Sequence, residues 1–149
     1  MSVVVLLDTN VWVSAFINPA GAPARLRHAW YEGRYEVVFS LPLLEELVDV
    51  LTRPRLIRKY PIAVNDIEDL LQLFIQRGIF VMPTGSVKEC RDPDDDLILE
   101  TAILGQAKYA VTRDDDIKAD KDLIERLKAR GISVLSVRQF QGRLDKDEL

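Results

Sequence analysis

Five short apolar runs punctuate this chain: Val3 to Leu7, Tyr35 to Phe39, Ile79 to Val81, Tyr109 to Thr112, and Ile132 to Ser136. The first is continuous and rich in β-branched residues, as expected of a parallel strand covered on both faces. Between the runs the apolar residues recur at helical spacing. Pro23 opens a helix to about Glu32, with Gly33 as its stop. Ser40 is placed to cap a helix over about Leu41 to Arg53 that ends at Pro54; Arg53 to Lys59 then reads as a basic segment. Further helices are expected over about Asn65 to Arg77, Asp92 to Leu104 with Gly105 as stop, Asp120 to Arg130, and Val137 to Gly142. Trp12, Val13 and Phe16 fall in a loop or short helix. Strands alternating with helices predict a three-layer α/β/α sandwich on a mainly parallel sheet of about five strands.

The totals narrow the class. At 149 residues the chain reads as one domain spanning 1–149, with 48% hydrophobic and 30% charged residues. No apolar run is long enough for a membrane helix, and no signal peptide opens the chain, so a cytoplasmic setting is expected. Lys146 to Leu149 spell a retention tag that has no meaning without such a signal. Cys90 is the only cysteine and His28 the only histidine, which excludes an intramolecular disulfide and a thiolate or two-histidine metal site. Any metal must be held mainly by oxygen, which favours Mg²⁺ or Mn²⁺. A net charge of −4 argues weakly against a tight, sequence-tolerant nucleic-acid binder.

The stretch Asp92-Pro93-Asp94-Asp95-Asp96 carries the chemical anomaly. Asp92 suits a helix cap and Pro93 the first helical position. Asp95, however, falls in register with Ile98, Leu99, Ala102 and Ile103, the inward row of the helix, whereas Asp94 and Asp96 flank it. An ionised Asp on a buried row needs compensation. Asp8 follows the first strand, Asp114 the fourth, and Glu46 lies near the start of the helix after the second strand. In parallel sheets a site lies beyond the carboxyl ends of the strands, so Asp8, Glu46, Asp95 and Asp114 can open onto one end. Converging carboxylates repel unless a divalent cation binds, and two such ions can promote phosphodiester hydrolysis.

These residues resemble the PIN-domain ribonucleases over essentially the whole chain, and in particular the toxins of bacterial and archaeal toxin–antitoxin systems. Asp8-Thr9-Asn10 after the first strand resembles the family's first motif, and Ser40 to Leu47, with Glu46 at the acidic position, the second. Asp92 to Asp96, with Asp95 as the acid, resembles the third, and Val111-Thr112-Arg113-Asp114 the fourth. Arg53-Pro54-Arg55 also looks typical of the group. The resemblance implies a Mg²⁺- or Mn²⁺-dependent endoribonuclease that forms a homodimer and pairs with an antitoxin, with Asp116 as a further ligand and Asn10 and Thr112 as accessory residues.

Simpler readings stand beside these. Asp8 could cap the segment after its strand, Glu46 be a solvated helix acid, and Asp114 to Asp116 a turn. Arg53, Arg55 and Arg113 are candidates for gripping RNA phosphates, though most such residues are plain surface charge. Cys90 reads as an inert thiol, His28 as a helix-surface residue, and Trp12, Phe16 and Trp30 as core. A catalytically silent PIN fold that binds RNA or protein is the rival reading. A phosphoacceptor switch is disfavoured, because Asp8-Thr9-Asn10 lacks a second acid two residues on.

Overall fold

A computed structural model describes residues 2–113 and 121–149. Five strands, β1 (Val4–Leu7), β2 (Glu36–Ser40), β3 (Ile79–Val81), β4 (Tyr109–Thr112) and β5 (Ser133–Ser136), form one sheet in the order β3-β2-β1-β4-β5. Every pairing is parallel, as the alternation of strands and helices predicts. The order reverses direction between β1 and β4, where Leu6 stands opposite Ala110 and Leu7 opposite Val111. That reversal opens a crevice beyond the strands' carboxyl ends.

Successive strand residues point to opposite faces, and this alternation builds two cores. Val5, Leu7, Val37, Phe39, Tyr109 and Val111 belong to the larger one. It is covered by α1 (Thr9–Ile17), α2 (Ala22–Tyr31), α3 (Leu41–Leu51), α5 (Val64–Arg77) and α8 (Val137–Asp145). Trp12, Trp30 and Phe74 meet at its centre with ring centroids 5.1 to 5.5 Å apart, so the tryptophans are packing residues. Leu6, Val38 and Ala110 face the other way, against α6 (Pro93–Leu104) and α7 (Lys121–Ala129). The result is the three-layer α/β/α sandwich expected.

Four local readings change. The segment after β1 is a full helix from Thr9. Arg53 to Lys59 is not merely a basic connection: Pro54 ends one helix and starts another, α4 (Pro54–Lys59), because proline suits a first helical position. Ser40 occupies the N-cap of α3 but makes no side-chain cap bond; its buried hydroxyl instead pairs with that of Thr101 at 2.9 Å, tying β2 to α6. Gly105 does follow α6, yet its φ is −82°, and Gln106 takes the left-handed conformation at φ 53°. Glycine is needed there for closeness: a Cβ at Gly105 would stand 2.3 Å from Cγ2 of Val38.

The row expected to face inward on α6 does so at Leu99 and Ala102, while Asp95 and Ile98 are half-buried. The helix is buried on a second side as well. Glu100 is only 4% exposed, and its carboxylate accepts hydrogen bonds from the Thr84 amide at 2.7 Å, the Gly85 amide at 3.1 Å and the Thr84 hydroxyl at 3.2 Å. Burial alone would raise its pKa; these donors outweigh that and hold it below the ordinary value. Among the described residues no helix is long and apolar enough to cross a membrane.

Candidate active site

Asp8 sits where β1 hands over to α1. Its backbone is extended (φ −61°, ψ 150°), and its side chain makes no cap bond to the helix that follows. Its amide donates to the Val111 carbonyl at 3.0 Å, and its Oδ2 accepts from the Thr112 hydroxyl at 3.4 Å. The end of β4 therefore fixes both backbone and carboxylate of Asp8. Simple capping does not describe this residue.

The crevice between β1 and β4 widens into a cleft of about 480 Å³. Asp8 and Asn10 line it from the start of α1, Glu46 from α3, Asp94 and Asp95 from the first turn of α6, and Thr112 from β4. Behind these polar groups the wall is apolar, including Leu6, Ile98, Ala110 and Leu123. Low-polarity walls strengthen the mutual repulsion of carboxylates and their attraction for a cation. Asp114 and Asp116 lie outside the described residues.

The four aspartates of this stretch divide among three roles. Asp92 caps α6, accepting from the Asp94 amide at 2.9 Å, as its position suggests, and it also reaches the cleft. Successive helical residues turn by about 100°. Asp94 and Asp95 both reach the cleft, so Asp94 is not simply flanking charge. Asp96 has turned away, and its Oδ1 accepts from the amides of Glu89 at 2.9 Å and Cys90 at 2.7 Å, which pins the loop before α6. Those bonds, led by that from the Cys90 amide, lower its pKa.

Asp94 is felt across the cleft. The Glu46 carboxyl is raised above its ordinary value of 4.5, first by desolvation and then by the charge of Asp94, while Arg53 pulls the other way. Glu46 lines this cleft and its neighbour Glu45 does not. The donor set is carboxylate, amide and hydroxyl oxygen, with negative charge in excess, and it fits a hard divalent cation such as Mg²⁺ or Mn²⁺. Among the described residues no three acids, histidines or cysteines stand close enough to cage an ion. Cys90 does not line the cleft, and its thiol is pushed up to about 12, chiefly by burial and then by Asp96.

The candidate phosphate-binding arginines divide. Arg53 pairs with Asp49 at 3.0 Å on the exposed side of α3, and Arg55 lines neither this cleft nor the one beside it. Arg113 lines the adjoining cleft, together with Arg25 and Arg138. His28 is a surface residue paired with Glu32 at 2.7 Å. Sequence reasoning missed Asp94 as a cleft residue and Glu100 as a buried anchor. One signal was present for Glu100: α6 is apolar almost all round, from Leu97 to Leu99 and from Ala102 to Leu104, which means burial on more than one side.

Residues 4–116 match the PIN-domain family. The chain is also 31% identical over 128 residues to an uncharacterized protein of Methanocaldococcus jannaschii, a match covering 86% of this chain and 81% of that protein.

Proposed function

This chain belongs to the PIN-domain family, whose members are generally nucleases that use divalent metals, and from that premise we propose that it is a metal-dependent endoribonuclease. The observation that carries the reading is the cleft: Asp8 at the cap of α1, Glu46 of α3, and Asp94 and Asp95 in the first turn of α6 line one crevice at the strand-order reversal.

Asp8, Glu46 and Asp95 line the cleft without caging an ion by themselves; they would hold Mg²⁺ or Mn²⁺ together with Asp114 and Asp116, which follow Arg113 in sequence. When bound, the ion supplies charge neutralisation and polarisation at the scissile phosphate. The Thr112 hydroxyl keeps Asp8 oriented. The Asn10 amide, on the same cleft, is suited to orient a water or a phosphate oxygen. The apolar wall limits the water that competes for these groups. Asp94 adds negative charge that is felt at Glu46, and a bound cation would offset both.

The test is cleavage of labelled single-stranded RNA by the purified chain. Internal cuts that need Mg²⁺ or Mn²⁺, vanish in chelator and fall at least about 100-fold in Asp95→Asn are expected. Cutting that survives chelator, or is indifferent to that substitution, refutes the reading. RNA bound but never cut would make the chain the silent binding module instead.

The resemblance in length and motif order further supports a role as the cytoplasmic toxin of a type II toxin–antitoxin pair, acting as a homodimer. Growth arrest on expression, relieved by a small protein encoded beside it, and a dimer mass in light scattering are the expected results.

A further inference from the structure

Next to the acidic cleft lies another, of about 630 Å³, whose lining has the opposite sign. Arg25 of α2, Arg113 after β4 and Arg138 of α8 all line it, against one carboxylate among the described residues, Asp145. That carboxylate accepts from the Gln141 amide at 2.9 Å. Two helix starts border the same space: Ala22 and Pro23 begin α2, and Val137 and Arg138 begin α8, whose end Ser136 and Gln139 already close with a capping box. Helix N-termini carry partial positive charge and backbone donors, which favour anions. Gly21, the N-cap of α2, supplies no side-chain bond to that end.

The three guanidinium groups come from distant parts of the sequence, so their convergence is made by the fold and not by a local basic run. Arginine's planar fork matches phosphate oxygens. Placement matters as much as charge. Thr112 lines the acidic cleft and Arg113, the next residue, lines this one. The two clefts thus meet at the end of β4. A chain of net charge −4 with five acids lining its cleft repels a polyanion, and needs a local positive site to hold one.

We propose that this cleft binds backbone phosphates of single-stranded RNA, with Arg25, Arg113 and Arg138 gripping the strand beside the phosphate presented to the acidic cleft. The assignment rests on the ribonuclease reading. Phosphate contacts position a strand without reading its bases, so the site sets where along the backbone the strand is held.

The test is fluorescence anisotropy of a short labelled oligoribonucleotide in chelator, so that binding is read without cleavage. Arg25→Gln and Arg138→Gln change exposed side chains, and their thermal midpoints should match that of the parent. Each should weaken binding several-fold and reduce the slope of log affinity against log salt by about 0.7, and the pair should weaken it at least about tenfold. Arg58→Gln, an exposed arginine of α4 lining neither cleft, should do neither. Unchanged affinity and slope in the double variant, or an equal loss in Arg58→Gln, overturns the site. So does occupancy by inorganic phosphate with no RNA bound. RNA held through these arginines but never cut sinks the nuclease reading and leaves this one standing. Metal-dependent cutting with binding indifferent to both arginines does the reverse.

Discussion

The Thr112 hydroxyl donates to Asp8 Oδ2 at 3.4 Å, joining the ends of two neighbouring strands across 104 positions of sequence. Removing it leaves Asp8 in the cleft but without that restraint. Thr112→Val keeps the β-branched shape β4 favours, so stability should change by no more than about 1 kcal/mol. Metal affinity, read from the Mg²⁺ dependence of RNA cleavage, should fall about tenfold or more, as losses of outer hydrogen bonds to metal ligands do. An unchanged Mg²⁺ requirement would show that the hydroxyl does not orient the carboxylate.

Glu46 predicts a pH dependence with a definite sign. Its pKa is raised in the folded chain by desolvation first and Asp94 second. Below the ordinary carboxylate range it is protonated whether folded or not, and the parent and Glu46→Gln should be equally stable. As pH rises through the raised value, the folded parent carries a charge its surroundings disfavour and loses stability relative to the variant. In chelator near neutral pH, Glu46→Gln should therefore melt slightly higher. Mg²⁺ should raise the parent's midpoint more than the variant's. Melts across the acid-to-neutral range, with and without Mg²⁺, check both statements.

Much of this arrangement was legible before folding. The strand runs, the helix start at Asp92-Pro93 and the strand-end position of Asp8 are local patterns, and each follows from a short window. What could not be read depends on other segments. A helical wheel ranks Asp95 above Asp94 by the axis of α6 alone, whereas Asp94's action on Glu46 depends on α3, which only the folded sheet brings across. Glu100 gave little warning, because its partners at Thr84 and Gly85 lie in a loop with no periodicity. Ser40 looks like a cap until Thr101 arrives from 61 positions away. Arg138 is one more exposed charge on a short helix until Arg25 and Arg113 stand around it.

Glu100 should be the costliest acid to remove, although it lines no part of the acidic cleft. Glu100→Ala strips the Thr84 and Gly85 amides of their acceptor and leaves a void beside α6. Denaturant unfolding should show a loss of about 2–4 kcal/mol. Because the folded pKa is lowered, the carboxylate's contribution is present above its ordinary value and declines as pH falls. A loss no larger than that from an exposed glutamate such as Glu45→Ala would contradict this.

Gly105→Ala places a methyl group against Val38, with 2.3 Å to Cγ2 and 2.8 Å to Cβ. Overpacking of this kind costs about 1–3 kcal/mol. Val38→Ala removes both γ carbons and leaves only its Cβ close to the new methyl, so the double variant should be more stable than the summed single losses predict. A double-mutant cycle by chemical denaturation measures the coupling, and strict additivity would mean that α6 shifts away instead.

The middle place of β1 in the sheet has a consequence for the making of the protein. A ribosome delivers β1 first among the strands, yet its partner β4 is still about a hundred residues from emerging. Until then Asp8 has neither the Val111 carbonyl nor the Thr112 hydroxyl to hold it. Long-range parallel pairing is late and slow in folding. A nascent or truncated chain that stops short of β4 thus carries the acids of Asp8, Glu46 and Asp95 but no assembled cleft. A cell translating this message meets no assembled cleft until β4 has emerged.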